Sequence, residues 1–412
     1  MSSDPQEASL RAARTAALAG AAASLVGIGL ARFAYTPLLP ALVKGGWFDP
    51  AAAAYLGAAN LAGYLAGALA GAWIMRRLGP GRATRAMMAL AAASLIACAE
   101  PLGFAWFFVW RFLSGLAGGA VMVSASSLVM LQTPPERRGR AGGLMFTGVG
   151  VGIVFSGAAI PWLLTHGLAV AWLTLGGLSA LIAALVWPLA SDRRLAGAPP
   201  QTAQAAQTAP DAARSRSLRR ALAAVGATYG LCAFGLVPHM VFLVDYVARG
   251  LGRGMADGAL VWTLFGVGAL LGPLAAGRVA DRIGFAAALR GAVALLAATV
   301  GLLLVSDAPA VIAASTLLAG MLTPGLVPLA LGRVRDLSGP SEAAKAAAWG
   351  RSTAGFAVGQ AAGAYLLAWV FDLSHDYALL FAIALAAPIL GLLLELLLAR
   401  GARRAAAREE AA

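Results

Sequence analysis

Residues 277–284 read Gly277-Arg278-Val279-Ala280-Asp281-Arg282-Ile283-Gly284, a short charged segment where two apolar stretches meet. The two stretches cover about residues 256–280 and 286–305. A run of about 18 or more mostly apolar residues can cross the bilayer's hydrocarbon core, roughly 30 Å thick, as an α-helix. The segment therefore predicts a tight turn at the membrane surface between two spanning helices.

The same alternation of apolar stretch and charged gap continues through the whole chain. The 412 residues are 60% hydrophobic and 12% charged, and the charged fraction is about half of that in a typical soluble domain. Twelve spans are predicted, at about residues 16–42, 52–75, 84–99, 103–130, 140–164, 169–190, 219–246, 256–280, 286–305, 309–332, 343–371 and 376–398. We expect an all-α polytopic membrane protein.

The basic residues predict the orientation of these spans. Most of the 31 Lys and Arg residues lie at the two ends of the chain or in every second gap. Lys and Arg in short loops mark the cytoplasmic side. Both termini and segment 191–218 are thus expected in the cytoplasm (N-in/C-in), in a multi-pass protein of the bacterial inner membrane. The first apolar run is too long for the core of a cleavable signal peptide.

Segment 191–218 divides the chain into two halves of six spans each. Its composition, rich in Ala, Gln, Pro and Arg without apolar periodicity, predicts a flexible linker. The predicted organisation is a tail at 1–15, a bundle at 16–190, the linker at 191–218, a second bundle at 219–398 and a tail at 399–412. The halves repeat at an offset of 205, which aligns Gly67 with Gly272 and Gly115 with Gly320. Parallel repeats around a midplane site are typical of secondary transporters.

Three segments resemble the major facilitator superfamily. Residues 277–284 resemble its loop motif G-x-x-x-D-R-x-G, and residues 111–119 resemble its R-x-x-x-G-x-x-x-G motif in span 4. Residues 29–40 resemble the first helix of the YbfB/YjiJ-type branch. The resemblance covers nearly the whole chain. It implies two pseudo-symmetric six-helix bundles and a secondary transporter that works by alternating access, without an ATP site.

The resemblance also implies a conformational gate at the loop motif. In the superfamily this loop lies against the start of span 5, so Asp281 is expected near that helix's N-terminus. The implied gate residues are Gly277, Asp281, Arg282, Gly284 and Arg140. The first-half copy departs from the motif, with Ala72 in place of Gly and Arg76 in place of the acid. Span 5 also lacks the Gly-Pro pair of the family's antiporters, which argues against drug/proton antiport.

Three arginines, Arg32, Arg111 and Arg351, lie inside apolar stretches. An arginine at mid-bilayer costs roughly 2.5–3.5 kcal/mol on insertion scales, so it normally faces a polar cavity or a partner. All 18 Asp and Glu residues are expected at termini, in loops or near span ends, Asp245 and Glu395 among them. A cavity lined by these arginines is therefore positive and favours an anion. The planar guanidinium suits a carboxylate in particular.

Other polar residues within spans complete the predicted substrate site. Tyr35, Asn60 and Tyr64 are candidate hydrogen-bond donors, and His239 is a candidate ligand or proton carrier because its ordinary pKa is near neutral. Gln360 is interpreted as an interhelical contact. For each of these residues, and for the arginines, a purely structural role is the open alternative. An anion bridging Arg32 and Arg351 would join the two halves.

The sequence gives no indication of a bound cofactor. The glycine run 148–152 lies inside an apolar helix without a preceding strand, so it does not indicate a nucleotide site. Cys98 and Cys232 lie within spans and predict no disulfide. We expect no metal, nucleotide or nucleic acid, and a monomer in the lipid bilayer that is not an enzyme. Import or export, and symport or antiport, stay open. The alternatives are efflux of a neutral or amphipathic compound and, from another class, a membrane-embedded sensor or enzyme.

Overall fold

In a computed structural model of the chain, the described residues are 5–134, 138–190, 212–338 and 342–410, and within them every regular element is a helix. Counting two helices with π-helical segments as one each, there are twelve. They are α1 (5–44), α2 (Pro50–Leu78), α3 (Pro80–Ala97), α4 (Phe104–Gln132), α5 (Arg138–Leu164), α6 (Leu168–Val186), α7 (212–250), α8 (Gly254–Ile283), α9 (Phe285–Val305), α10 (Pro309–Leu337), α11 (Glu342–Ser374) and α12 (Tyr377–Glu410).

The predicted all-helical membrane class is confirmed, with one difference in the count of spans. Eleven described helices are long and apolar enough to cross a membrane. The helix that falls short is α3, which has 18 residues and carries Arg82 and Arg85 near its start. Residues 191–211 of the predicted linker lie outside the described residues, and α7 begins at Ala212.

The charged segment 277–284 forms the expected tight turn. Helix α8 ends at Ile283 and α9 begins at Phe285, with only Gly284 between them. Gly284 has φ 79°, a left-handed conformation that glycine adopts without a Cβ penalty. Gly79, 205 residues earlier, has φ 81° and joins α2 to α3 in the same way. The repeated sequence therefore produces a repeated turn.

Glycines allow pairs of helices to pack backbone against backbone. A Cβ atom added to Gly115 of α4 would overlap the carbonyl oxygen of Asn60 in α2. The same overlap with a facing backbone carbonyl recurs between α2 and α4, and between α8 and α10, at Gly63, Gly67, Gly119, Gly268, Gly272 and Gly320. Small residues permit this close approach in lipid, where dispersion contacts rather than the hydrophobic effect hold helices together.

Helices α1 and α7 are widened by π-helical segments. In α1 the segment is Leu25–Phe33, and α7 contains Pro238–Phe242 and Tyr246–Gly250. Nearly every side chain in these segments is buried. Segments of this type are rare and often occur at functional sites, because they redirect side chains relative to an α-helix. Arg32 lies in the first segment and His239 in the second.

A buried ion pair stabilises the last turns of α7. The carboxylate of Asp245 is fully buried and accepts hydrogen bonds from Arg249 Nε (2.5 Å) and Arg249 Nη2 (2.7 Å). The Tyr377 hydroxyl of α12 donates to the same carboxylate at 2.5 Å. The sequence placed Asp245 at a span end, and the structure adds that the side chain points inward. The pair connects α7 to α12.

Replacing Asp245 by asparagine should destabilise the protein. The change leaves the guanidinium of Arg249 without its counter-charge. Because Arg249 is 28% exposed, we expect the free energy of unfolding to fall by about 1–3 kcal/mol. The loss of a partner would cost more if the remaining charge were fully buried. Thermal unfolding of purified protein in detergent measures this loss. Glu100→Gln, at an exposed acid, is the matched control. Equal unfolding temperatures for the two variants would contradict the role of the pair.

Candidate functional site

Arg32 connects the first half of the chain to the second. Its side chain is 9% exposed, and Nη2 donates to Oε1 of Gln360 in α11 at 2.9 Å. The guanidinium also lies over the ring of Tyr64 in α2, 5.0 Å from the ring centre. A cation in this position is stabilised by the electrons of the ring. Arg32 is thus held by a neutral amide and an aromatic ring, and none of the carboxylates in the described part of the chain forms an ion pair with it.

Arg111 of α4 contacts the same π-helical segment of α1. It is 1% exposed, and Nη1 donates to the Ala31 carbonyl oxygen at 2.8 Å. Its guanidinium stands 4.2 Å from the centre of the Tyr35 ring. Nε is buried and has no hydrogen-bond partner. This arginine therefore retains one donor for a group that is not part of the chain.

Asn60 and Tyr35 complete the polar side of the site. The amide nitrogen of Asn60 donates to Ser114 Oγ at 2.7 Å and to the Arg111 carbonyl oxygen at 3.2 Å. Its Oδ1 atom is buried without a partner. The hydroxyl of Tyr35 donates to the Ala53 carbonyl oxygen at 2.7 Å. Asn60 thus offers an unused acceptor beside the unused donor of Arg111.

A cavity of about 20 Å³ lies between these residues. That volume holds roughly one water molecule. Both arginines, Tyr35 and Asn60 line it, so the structure brings four of the predicted site residues together, and Tyr64 adjoins them through Arg32. The full lining is Arg32, Phe33, Tyr35, Thr36, Gly57, Asn60, Leu61, Arg111, Met240 and Val241.

The two sides of the cavity differ in chemistry. All of its charged and hydrogen-bonding side chains come from α1, α2 and α4, whereas α7 contributes only Met240 and Val241. Among the described residues, no acid lines the cavity and none forms an ion pair with either arginine. Two buried positive charges without a counter-ion favour an anion at this position.

His239 lies apart from the cavity. Its Nε2 atom and Ser315 Oγ are 2.8 Å apart, and Ser315 donates in turn to the Thr299 carbonyl oxygen. The ring meets Phe381 edge-on. The side chain therefore points toward α9, α10 and α12, while the next residue, Met240, faces the cavity. The structure does not bring His239 to the arginines.

Arg351 is exposed and does not reach the site. It lies nine residues before Gln360 in α11, a distance of roughly 13 Å along the helix axis. It shares a helix face with Val358, Trp369 and Leu373, which are all exposed. The expected bridge between Arg32 and Arg351 is not seen here. The residue of α11 that contacts Arg32 is Gln360, whose polarity within an apolar span was the signal that could have identified it.

Three of the gate residues implied by the loop motif, Asp281, Arg282 and Gly284, are exposed. Asp281 and Arg282 lie in the last turn of α8 with exposed side chains, and a Cβ added to Gly277 would meet nothing within 4 Å. Arg140 lies in α5, and its side chain is not among those that the structure describes. A contact between Asp281 and α5 stays a prediction.

Glu395 is the acid whose position the sequence indicated least well. The sequence placed it near the end of a span. The structure instead buries its side chain completely, in the middle of the leucine run 392–398 of α12. A position near a span end gives depth in the membrane, but it does not give the direction of the side chain.

Comparison with protein families gives one match over most of the chain. Residues 24–396 match the family described as "Uncharacterised MFS-type transporter YbfB". The match extends from within α1 to within α12 and includes every cavity-lining residue. No curated protein sequence matches the chain.

Proposed function

The chain belongs to the YbfB-type family of major facilitator superfamily transporters, and we propose that it carries a small organic anion, a carboxylate, across the bacterial inner membrane. Helices α1–α6 and α7–α12 form the two bundles of the superfamily, with both termini in the cytoplasm, and alternating access moves the substrate. The observation that carries the anion proposal is the pair Arg32 and Arg111, buried beside one cavity with no acid in contact.

The contacts of the arginines support a carboxylate. The Oε1 atom of Gln360 accepts from Arg32 at 2.9 Å, the position that one substrate oxygen would take. Arg111 Nε and Asn60 Oδ1 are the unpartnered atoms nearby, suited to the second oxygen and to a substrate hydroxyl or amide. The apolar wall of Met240 and Val241 favours an organic body over a small inorganic anion, since it offers no hydrogen bond.

The same contacts suggest how substrate binding is coupled to the movement of one half of the protein relative to the other. Interactions that join the halves at the cavity include Arg32 with Gln360, the Thr36 hydroxyl with the Met240 carbonyl oxygen at 2.5 Å, and the ring of Phe33 with that of Trp262. A cavity of about 20 Å³ is too small for a carboxylate with its carbon body, so binding requires the halves to part. An anion that replaces Gln360 on Arg32 removes one of these bonds.

Changing Gln360 to glutamate should weaken the binding of carboxylate substrates. The new carboxylate would form an ion pair with Arg32 and compete with the substrate, so affinity for carboxylates should fall about ten- to hundred-fold, the equivalent of one charged hydrogen bond. Gln360→Leu, which removes the competing oxygen, is the control and should bind at least as tightly as the wild type. Carboxylate affinity that is unchanged in Gln360→Glu would contradict the replacement step.

A thermal-shift screen of purified protein tests the proposed substrate class. Matched sets share a carbon skeleton and differ in the head group and its charge: benzoate, benzamide and benzylamine form one, and butyrate, butyramide and butylamine another. A ligand that binds the folded state raises its unfolding temperature. The carboxylates should stabilise the protein and their amides and amines should not. Stabilisation by amides or amines to the same degree would refute an anion site.

The second candidate is efflux of a neutral or amphipathic compound. It is favoured by the fact that each guanidinium already donates to a neutral oxygen, Arg32 to Gln360 and Arg111 to the Ala31 carbonyl. The arginines would then be structural, and the amides in the screen would stabilise the protein as well as the carboxylates do.

The loop motif and proton coupling belong to the same proposal. Gly277, Asp281, Arg282 and Gly284 form a gate against the start of α5, near Arg140, in the conformation closed to the cytoplasm. Protons drive transport, with His239 as one candidate carrier. Its place away from the cavity, against Ser315, favours a second candidate on another helix.

A further inference from the structure

Glu395 combines deep burial with the lack of any partner. Its side chain is 0% exposed, and neither carboxylate oxygen has a hydrogen-bond partner. It lies six residues before Gly401, where the apolar part of α12 ends, or roughly 9 Å inside the span. The residues within four positions of it, 391–394 and 396–399, are all Gly, Leu or Ala, so its own helix offers it no polar side chain as a partner.

Two arginines influence this carboxylate electrostatically without forming an ion pair with it. They are Arg290 of α9 and Arg333 of α10, and the thiol of Cys232 in α7 also interacts with it. Neither arginine has a nitrogen within 4 Å of the Glu395 carboxylate, and Arg333 Nε is itself buried and unpartnered. A buried acceptor and a buried donor are thus both left unsatisfied.

An ionised carboxylate is unstable in such a place. Burying a charge without a hydrogen-bond partner is so unfavourable that the group takes up a proton instead. A movement of α10 relative to α12 that brought Arg333 into contact would make the ionised form the stable one. Protonation of Glu395 would then be linked to the arrangement of these two helices.

We propose that Glu395 is a proton-binding site of this transporter. In the conformation described here, a proton is bound to one carboxylate oxygen. In the alternate conformation, that proton leaves as H⁺ and the carboxylate pairs with Arg333. No other bond changes. The proposal rests on the proposed function, since it supplies the proton that drives anion movement, and it places that proton at Glu395 rather than at His239.

Infrared titration of the protein in lipid nanodiscs, without any substrate, tests this site. The wild type should show the carbonyl band of a protonated carboxyl group at pH values well above the ordinary glutamate pKa of about 4.3, and the band should disappear at alkaline pH. Glu395→Gln should lose this band at every pH, while Glu100→Gln and His239→Gln should retain it. A band that persists in Glu395→Gln, or a wild type without one, would overturn the proposal.

A second variant separates a proton site from a merely buried acid. Arg333→Gln removes the partner of the ionised form, so the midpoint of the band's titration should move to higher pH. An unmoved midpoint would overturn the proposed exchange with Arg333. Because Arg333→Gln retains the carboxyl group, the test also stands if Glu395→Gln does not fold. The titration uses no substrate, so a negative result leaves the anion proposal intact, and a failed ligand screen leaves this site intact.

Discussion

Gly115→Ala should strongly destabilise the folded protein. The new Cβ would overlap the Asn60 carbonyl oxygen and approach the Tyr64 backbone nitrogen, both in α2. Backbone atoms within a helix cannot move aside as a flexible side chain can, so α2 and α4 must separate. Overpacking typically costs about 1–3 kcal/mol, and we expect about 3 kcal/mol or more here because Gly63, Gly67 and Gly119 depend on the same close approach. Thermal unfolding in detergent measures the loss.

Gly177→Ala is the matched control for this prediction. Gly177 lies in α6, is exposed, and a Cβ there would meet nothing within 4 Å. Because alanine favours the helix over glycine by about 1 kcal/mol, this variant should be as stable as the wild type or more stable. If Gly115→Ala unfolds at the same temperature as Gly177→Ala, the packing of α2 against α4 is not as described.

Arg32→Gln should weaken carboxylate binding about ten- to hundred-fold. The change removes one charged donor at the cavity while it keeps similar bulk, and a hydrogen bond to a charged group contributes about 1.5–3 kcal/mol. Lysine at this position should rescue binding only in part, because it lacks the planar fork and the stacking on Tyr64. Isothermal titration of the carboxylate that stabilises the wild type most measures the affinity.

Arg351→Gln controls for the loss of a positive charge. Arg351 is exposed on the face of α11 that carries Val358 and Trp369, so its removal should change affinity by no more than about two- to threefold. If Arg351→Gln weakens binding as much as Arg32→Gln does, a general charge effect explains both, and the cavity does not hold the anion.

The membrane class could be predicted because helix length and the position of charge are local properties. The predicted span 286–305 is helix Phe285–Val305, and the predicted span 343–371 lies within Glu342–Ser374. The turn at Gly284 could be predicted because only five residues, 281–285, separate the two apolar stretches there. The short helix α3 was harder, because Arg82 and Arg85 lie inside its first turns and reduce its hydropathy.

The candidate site could be predicted only in part, because a single sequence does not give the rotation of each helix. Arg32, Arg111, Asn60 and Tyr35 were identified as polar residues in apolar stretches, and they do meet. Arg351 was expected to join them only because it also lies inside an apolar stretch. Which face of α11 packs against α1 depends on contacts between residues 328 positions apart, such as Arg32 with Gln360.

Glu395 illustrates the same limit. A charge one or two turns from a span end can turn toward water or toward the interior, and the leucine run around it is the same in both cases. The π-helical segments in α1 and α7 add to the difficulty, since they shift the register by which side chains share a face. His239, which lies in such a segment, faces Ser315 rather than the arginines.

Uptake into proteoliposomes tests the central claim most directly, namely that the negative charge of the substrate is what the protein recognises. Vesicles with wild-type protein are given a labelled carboxylate from the screen or its neutral amide, at equal concentration and with the same pH gradient. We predict saturable uptake of the carboxylate above that of empty vesicles and no protein-dependent uptake of the amide. Protein-dependent uptake of the amide equal to that of the carboxylate would contradict the account.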